Sequence, residues 1–190
     1  MRFVLTYAGS LPANGNPRDK HRIRQALLPQ LKQQWEIEPA LKSLSIPDLD
    51  GKVALDSIKK QFTRMGFNFV PLVLRQFKLV CYLEITMLRR EEPGNVLQTG
   101  GDIDNRLKTL FDSLTIPVKD NQLTGITPQP NEDPFYCLLE DDSLVTGMEI
   151  KTERLLENLT NPTDVRLTIA ATVRPTKVEI GNLGFLGGWL

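Results

Sequence analysis

The sequence holds one histidine, His21, and two cysteines, Cys81 and Cys137. A lone histidine excludes a histidine-rich zinc centre. Any bound metal must therefore be held mainly by oxygen, which favours Mg²⁺ or Mn²⁺. Both cysteines sit among apolar neighbours, and the expectation is a pair of buried free thiols in a reducing cytoplasm, not a disulfide or a metal pair. No apolar run is long enough to span a bilayer. The segment from Met1 to Gly9 carries one basic residue and a short apolar stretch, and Pro12 to Arg24 is already polar. It reads as a strand and not as an export signal. Net charge is absent too: 23 Lys and Arg balance 23 Asp and Glu. That argues against coating nucleic acid by bulk charge, and leaves local basic patches open.

What is present is ordinary globular material. The apolar fraction is 41% and the charged fraction 24% over 190 residues. That length supports one domain with a real core, carrying insertions. Residues 2–9 alternate as a strand, and Asn14-Gly15-Asn16-Pro17 marks a turn. Ile23, Leu27, Leu31 and Trp35 recur every four residues and predict a helix, with Pro29 either kinking it or dividing it. Arg18, Lys20, Arg22 and Arg24 occupy its other face, as a solvated surface or a phosphate-contacting edge. Residues 53–62 fit a short helix. Phe77, Leu79, Cys81, Leu83, Ile85 and Met87 alternate as a long strand. Ile103, Leu107, Leu110, Phe111 and Leu114 predict an amphipathic helix with that face inward. Residues 115–134 show no period and hold four prolines, Pro117, Pro128, Pro130 and Pro134. A loop of that length is usually functional or mobile. Strands are expected over 135–139, 144–152 and 165–173. The tail from Gly184 to Leu190 folds back or meets a partner. Strands and helices mix without regular alternation, so the fold class is α+β: a small mixed sheet with packed helices.

Two acidic groups stand out. Asp102 and Asp104 lie two apart at a loop-to-helix junction, with Lys108 one turn on and Asp112 one turn further. Two carboxylates held together repel unless a cation lies between them, and a hard divalent ion is the natural occupant. An ammonium beside a phosphate neutralises charge that builds in the transition state and helps protonate a leaving oxygen. Asp112 is placed to hold Lys108. Taken alone, the spacing fits a helix cap with exposed ion pairs better. Glu140-Asp141-Asp142 alone fits a hairpin turn.

The order of these segments changes the balance. A strand, then Gly-Asp-Ile-Asp-Asn-Arg-Leu-Lys-Thr-Leu-Phe-Asp-Ser-Leu at 101–114, then Asp-Asp-Ser-Leu-Val at 141–145 resembles the RusA family of Holliday-junction resolvases. The match at 102–114 is close. The one at 141–145 is short and in the right order. The resemblance implies a small mixed α/β domain, acting as a homodimer that cuts branched DNA with Mg²⁺ (Mn²⁺ as a substitute) by paired nicks. By motif position it implies Asp102, Asp104 and Asp142 as metal-binding carboxylates and Lys108 as the catalytic lysine, with Asp141 a lesser helper. The chemistry implied is metal-assisted phosphodiester hydrolysis. A dimer suits a four-way junction, which needs two symmetric cuts. The chain departs from the family in its segments near 36–66 and 115–134, and in Thr99-Gly100-Gly101 where a basic run is common. These departures bear on substrate more than on metal. The competing expectations are a non-catalytic DNA- or protein-binding module that kept the fold, and another Asp-x-Asp phosphohydrolase. Intact acidic positions weigh against the first, and the missing histidines against the second.

Overall fold

The computed structural model describes residues 1–43, 54–90, 103–157 and 161–189. In chain order the elements are β1 (Arg2–Ser10), α1 (Pro17–Ile37), α2 (Pro39–Ser43), α3 (Ala54–Gln61), β2 (Thr63–Arg64), β3 (Phe67–Val73), β4 (Leu79–Arg89), α4 (Ile103–Leu114), β5 (Phe135–Leu139), β6 (Val145–Arg154) and β7 (Asp164–Pro175). The class is α+β, with the strands divided between a four-stranded sheet, β1-β7-β4-β6, and a three-stranded sheet, β2-β3-β5. No described helix is long and apolar enough to cross a membrane.

Alternation builds the larger sheet. Leu79, Cys81, Leu83, Ile85 and Met87 all point into the core, as their period of two requires. Leu5, Ile169, Ile85 and Ile150 form one row across β1, β7, β4 and β6. Phe77 falls outside the strand, in a 3₁₀ turn over Arg75–Phe77 that ends on Lys78 in the left-handed region, φ 55°. β3 lacks alternation. Its sequence Phe-Asn-Phe-Val-Pro-Leu-Val is buried on both faces, with Asn68 alone half-exposed. Such a run carries no period to read, and Pro71 argues against a strand in sequence.

Helix α1 is capped where the turn signal lies. Asn16 accepts from Arg18 and Asp19 N–H groups, Asp19 returns a bond to Asn16 N–H, and Pro17 opens the helix. The helix runs through Pro29 as a single element. Proline there faces solvent and its long apolar stripe, Ile23, Leu27, Leu28 and Leu31, is buried on both sides of it. Packing of that stripe outweighs the one missing backbone bond. Three of the four basic residues on the other face are drawn into contacts, and Arg18 stays exposed. Arg24 is buried and donates to the carbonyls of Asp112 and, at 3.4 Å, Thr115 at the end of α4. Arg22 pairs with Asp19 on its own helix, and Lys20 pairs with Asp112.

The long segment 115–134 holds two 3₁₀ turns, Asp120–Leu123 and Pro130–Glu132. Leu123 is buried, and so is Glu132, whose carboxylate accepts from Gln25 at 2.6 Å and from Gln129 N–H at 2.9 Å. His21 lies 3.6 Å from Glu132 and packs against the rings of Phe67 and Phe135. The C-terminal segment folds back as a 3₁₀ stretch, Ile180–Trp189. Phe185 is buried, and Asn182 donates to the carbonyls of Phe77 and Lys177. Both thiols are free and buried, and burial pushes each up to about 12.

Candidate metal and phosphate site

Helix α4 is held by its polar side. Arg106 is 2% exposed and donates to Leu11 carbonyl at 2.6 Å. Thr109 Oγ1 accepts from Gly15 N–H at 2.8 Å, and Ser113 Oγ donates to Thr109 carbonyl at 2.6 Å. A Cβ at position 15 would meet Thr109 Cγ2 at 2.6 Å, so the turn docks on α4 only with glycine there. The buried face is Arg106, Thr109, Leu110, Ser113 and Leu114. The expected apolar face is thus rotated. Leu107 and Phe111 lie at its edge, half-buried, and line a cavity. The rotation is tolerable because each buried hydroxyl or guanidinium finds a backbone partner.

The end of α4 is tied to the end of β5. Ile116 N–H donates to Leu139 carbonyl at 3.1 Å, and Thr115 bridges Leu139 in parallel. That tie places the turn after β5 alongside the helix. The turn is a 3₁₀ segment, Asp142–Leu144, anchored by buried Leu144.

The two neighbouring aspartates of this turn have different fates. Asp141 caps it, accepting from Ser143 N–H at 3.0 Å and from the Ser143 hydroxyl, with Arg75 at 3.6 Å. The two Ser143 bonds, with Arg75 behind them, hold its carboxyl below the usual aspartate range. It caps the turn and lines a second, smaller hollow with Arg64, Arg75 and Glu140. Asp142 is exposed and lines the cavity along α4.

That cavity has a volume of about 560 Å³. Asp104, Lys108 and Asp112 line it from α4, Asp142 and Ser143 from the turn, and Val145 to Met148 from β6. Gly147 lies under the Tyr82 ring, which a Cβ would meet at 3.0 Å. Asp104 is exposed in the first helical turn and accepts from Asn105 N–H at 2.7 Å. Its charge suits the positive end of the helix dipole. Lys108 is exposed and makes no hydrogen bond or ion pair among the described residues. Asp112 does not hold it. Asp112 Oδ2 lies 2.7 Å from Lys20 Nζ.

Three of the four expected site residues, Asp104, Lys108 and Asp142, therefore share one cavity. Asp102 lies outside the described residues. Among the described residues no three His, Cys, Asp or Glu side chains come close enough together to hold a metal ion. The donors that share the cavity are hard carboxylate oxygens. Mg²⁺ commonly takes one or two carboxylates and fills its shell with water and phosphate oxygen, so the donor type, though not a closed ligand set, suits such an ion. The apolar wall was not legible as a site. Leu107 and Phe111 carry the same signal as core residues, and the contribution of β6 depends on tertiary structure. No protein-family model matches the chain, and no curated protein matches it.

Proposed function

We propose that this chain is a divalent-metal-dependent endodeoxyribonuclease acting on branched DNA. The observation that carries the reading is the convergence of Asp104 and Lys108 from α4 with Asp142 from a separate turn on one open cavity. Spacing along a helix explains two residues sharing a face. It does not explain a carboxylate brought in from beyond a twenty-residue connection and a further strand. The resemblance of 102–114 and 141–145 to the RusA family supplies the substrate class.

In this reading Asp104 and Asp142, with Asp102 just before α4, hold Mg²⁺ or Mn²⁺. When bound, the ion supplies a Lewis acid beside the scissile phosphate. Lys108 meets the phosphate as a positive charge. It stabilises the negative charge that builds on the non-bridging oxygens, and its ammonium protons are available to the departing oxygen. The cavity is open to solvent, so attacking water reaches it without a channel. Paired nicks across a four-way junction call for a homodimer. The two free thiols agree with a cytoplasmic setting.

The test is direct. Purified protein is incubated with a synthetic four-way junction, a flap and a plain duplex, with Mg²⁺, Mn²⁺ or chelator. The reading expects nicks in the junction, dependent on metal and lost in Asp104→Asn. Absence of nicking on every substrate under every metal condition sinks the enzyme reading. Tight junction binding without nicking favours the non-catalytic binding module.

A further inference from the structure

We propose that Lys20 is a positioning residue that keeps Lys108 free by holding Asp112 away from it. The proposal rests on the reading of Lys108 as the cavity's phosphate-facing cation. Lys108 and Asp112 are four apart on one helix, and both line the cavity. Side chains so spaced are neighbours, and opposite charges there normally pair. In this fold they do not. Asp112 Oδ2 is 2.7 Å from Lys20 Nζ, a cation from a different helix.

Two physical reasons favour the cross-helix pair. The Lys20 and Asp112 side chains are 19% and 27% exposed. Their attraction is less screened than that of a solvent-facing pair along a helix. Lysine placed N-terminal to its acid is also the weaker orientation for a pair within one helix. The helices are fixed around the contact. Gly15 N–H donates to Thr109 Oγ1 just before α1, and Arg24, one turn beyond Lys20, donates to the Asp112 carbonyl. The docked helices therefore keep Lys20 within reach of Asp112.

Removing the Lys20 ammonium leaves Asp112 unpaired within reach of Lys108. The carboxylate then neutralises the charge that a phosphate needs. The experiment compares wild type, Lys20→Met, Lys20→Arg, Asp112→Asn and the double variant Lys20→Met/Asp112→Asn in junction nicking. Lys20→Met should lower kcat about tenfold, part of the ~10²–10³ that complete loss of a charge-stabilising donor costs. KM should change little. Lys20→Arg should retain activity, and the double variant should run at the rate of Asp112→Asn alone. A Lys20→Met enzyme with unchanged kcat overturns the proposal. So does a double variant well below Asp112→Asn, which would indicate a purely structural loss.

A second readout does not need cleavage. Amine-reactive labelling of the folded proteins, read by mass spectrometry at Lys108, should fall severalfold in Lys20→Met and recover in the double variant. Equal labelling of Lys108 in wild type and Lys20→Met overturns the proposal whether or not DNA is cut. A wild type that labels as expected but nicks nothing overturns the nuclease reading alone.

Discussion

The two sides of α4 are both rich in polar residues, and they use them oppositely. On the buried side, Arg106, Thr109 and Ser113 each have a backbone partner. On the cavity side, Lys108 has no partner among the described residues, and Asp104 accepts only from the adjacent Asn105 N–H. Satisfied polar groups dock a helix. Unsatisfied charges gathered at an open cavity contribute little to stability and are available to a ligand. Asp141 and Asp142 repeat the contrast within one turn: the first is tied down by Ser143 and Arg75, the second faces the cavity.

The contrast is breakable. The largest effect belongs to the cavity side. Lys108→Ala should lower nicking by about 10²–10³-fold, the usual cost of losing a charge-stabilising group. Its melting transition should move little, because exposed substitutions usually stay within ~0.5 kcal/mol. The buried side should behave the other way. Leu110→Ala, at a fully buried position, should cost about 2–5 kcal/mol in denaturant unfolding. Any loss of nicking should then follow the unfolded fraction. If Lys108→Ala melts as early as Leu110→Ala, the division between the two faces is wrong.

Gly15→Ala sharpens the docking claim. Its added methyl meets Thr109 Cγ2 and should destabilise by about 1–3 kcal/mol, as overpacking does. The companion Thr109→Ser removes that methyl and should recover part of the loss while keeping the hydroxyl.

Much of this was legible in sequence. The alternation of β4 from Leu79 onward and of β7, the turn before α1 and the strand at 135–139 stand where the sequence pattern places them. So does the order of the charged segments. What was not legible had physical causes. β3 is buried on both faces and carries no period. The buried face of α4 turns toward Arg106, Thr109 and Ser113, because Leu11 carbonyl meets Arg106, Gly15 N–H meets Thr109, and Ser113 donates to Thr109 carbonyl within the helix. The basic residues of α1 fit a solvated face or a phosphate edge by spacing. Long-range partners, Asp112 above all, decide their role, and spacing does not report long-range partners.

The smallest effect expected is a pH slope. Burial against aromatic rings lowers His21 from its ordinary value of 6.5, with Glu132 acting against that shift. The unfolded chain then binds the extra proton more readily. Stability should be full above the unfolded value and decline as pH falls below about 6.5. His21→Leu should show a flatter dependence of Tm on pH between about pH 7 and pH 5. An unchanged slope would place the titrating group elsewhere.

The central claim is that Asp104 and Asp142 serve one site. Mn²⁺ binding, followed by electron paramagnetic resonance on wild type, Asp104→Asn and Asp142→Asn, tests it most directly. The account predicts that either substitution alone weakens the same bound Mn²⁺ by tenfold or more, in the range of about 10–100-fold that changes around a metal's ligands produce. An Asp142→Asn protein that binds Mn²⁺ as tightly as wild type, while Asp104→Asn does not, would contradict it.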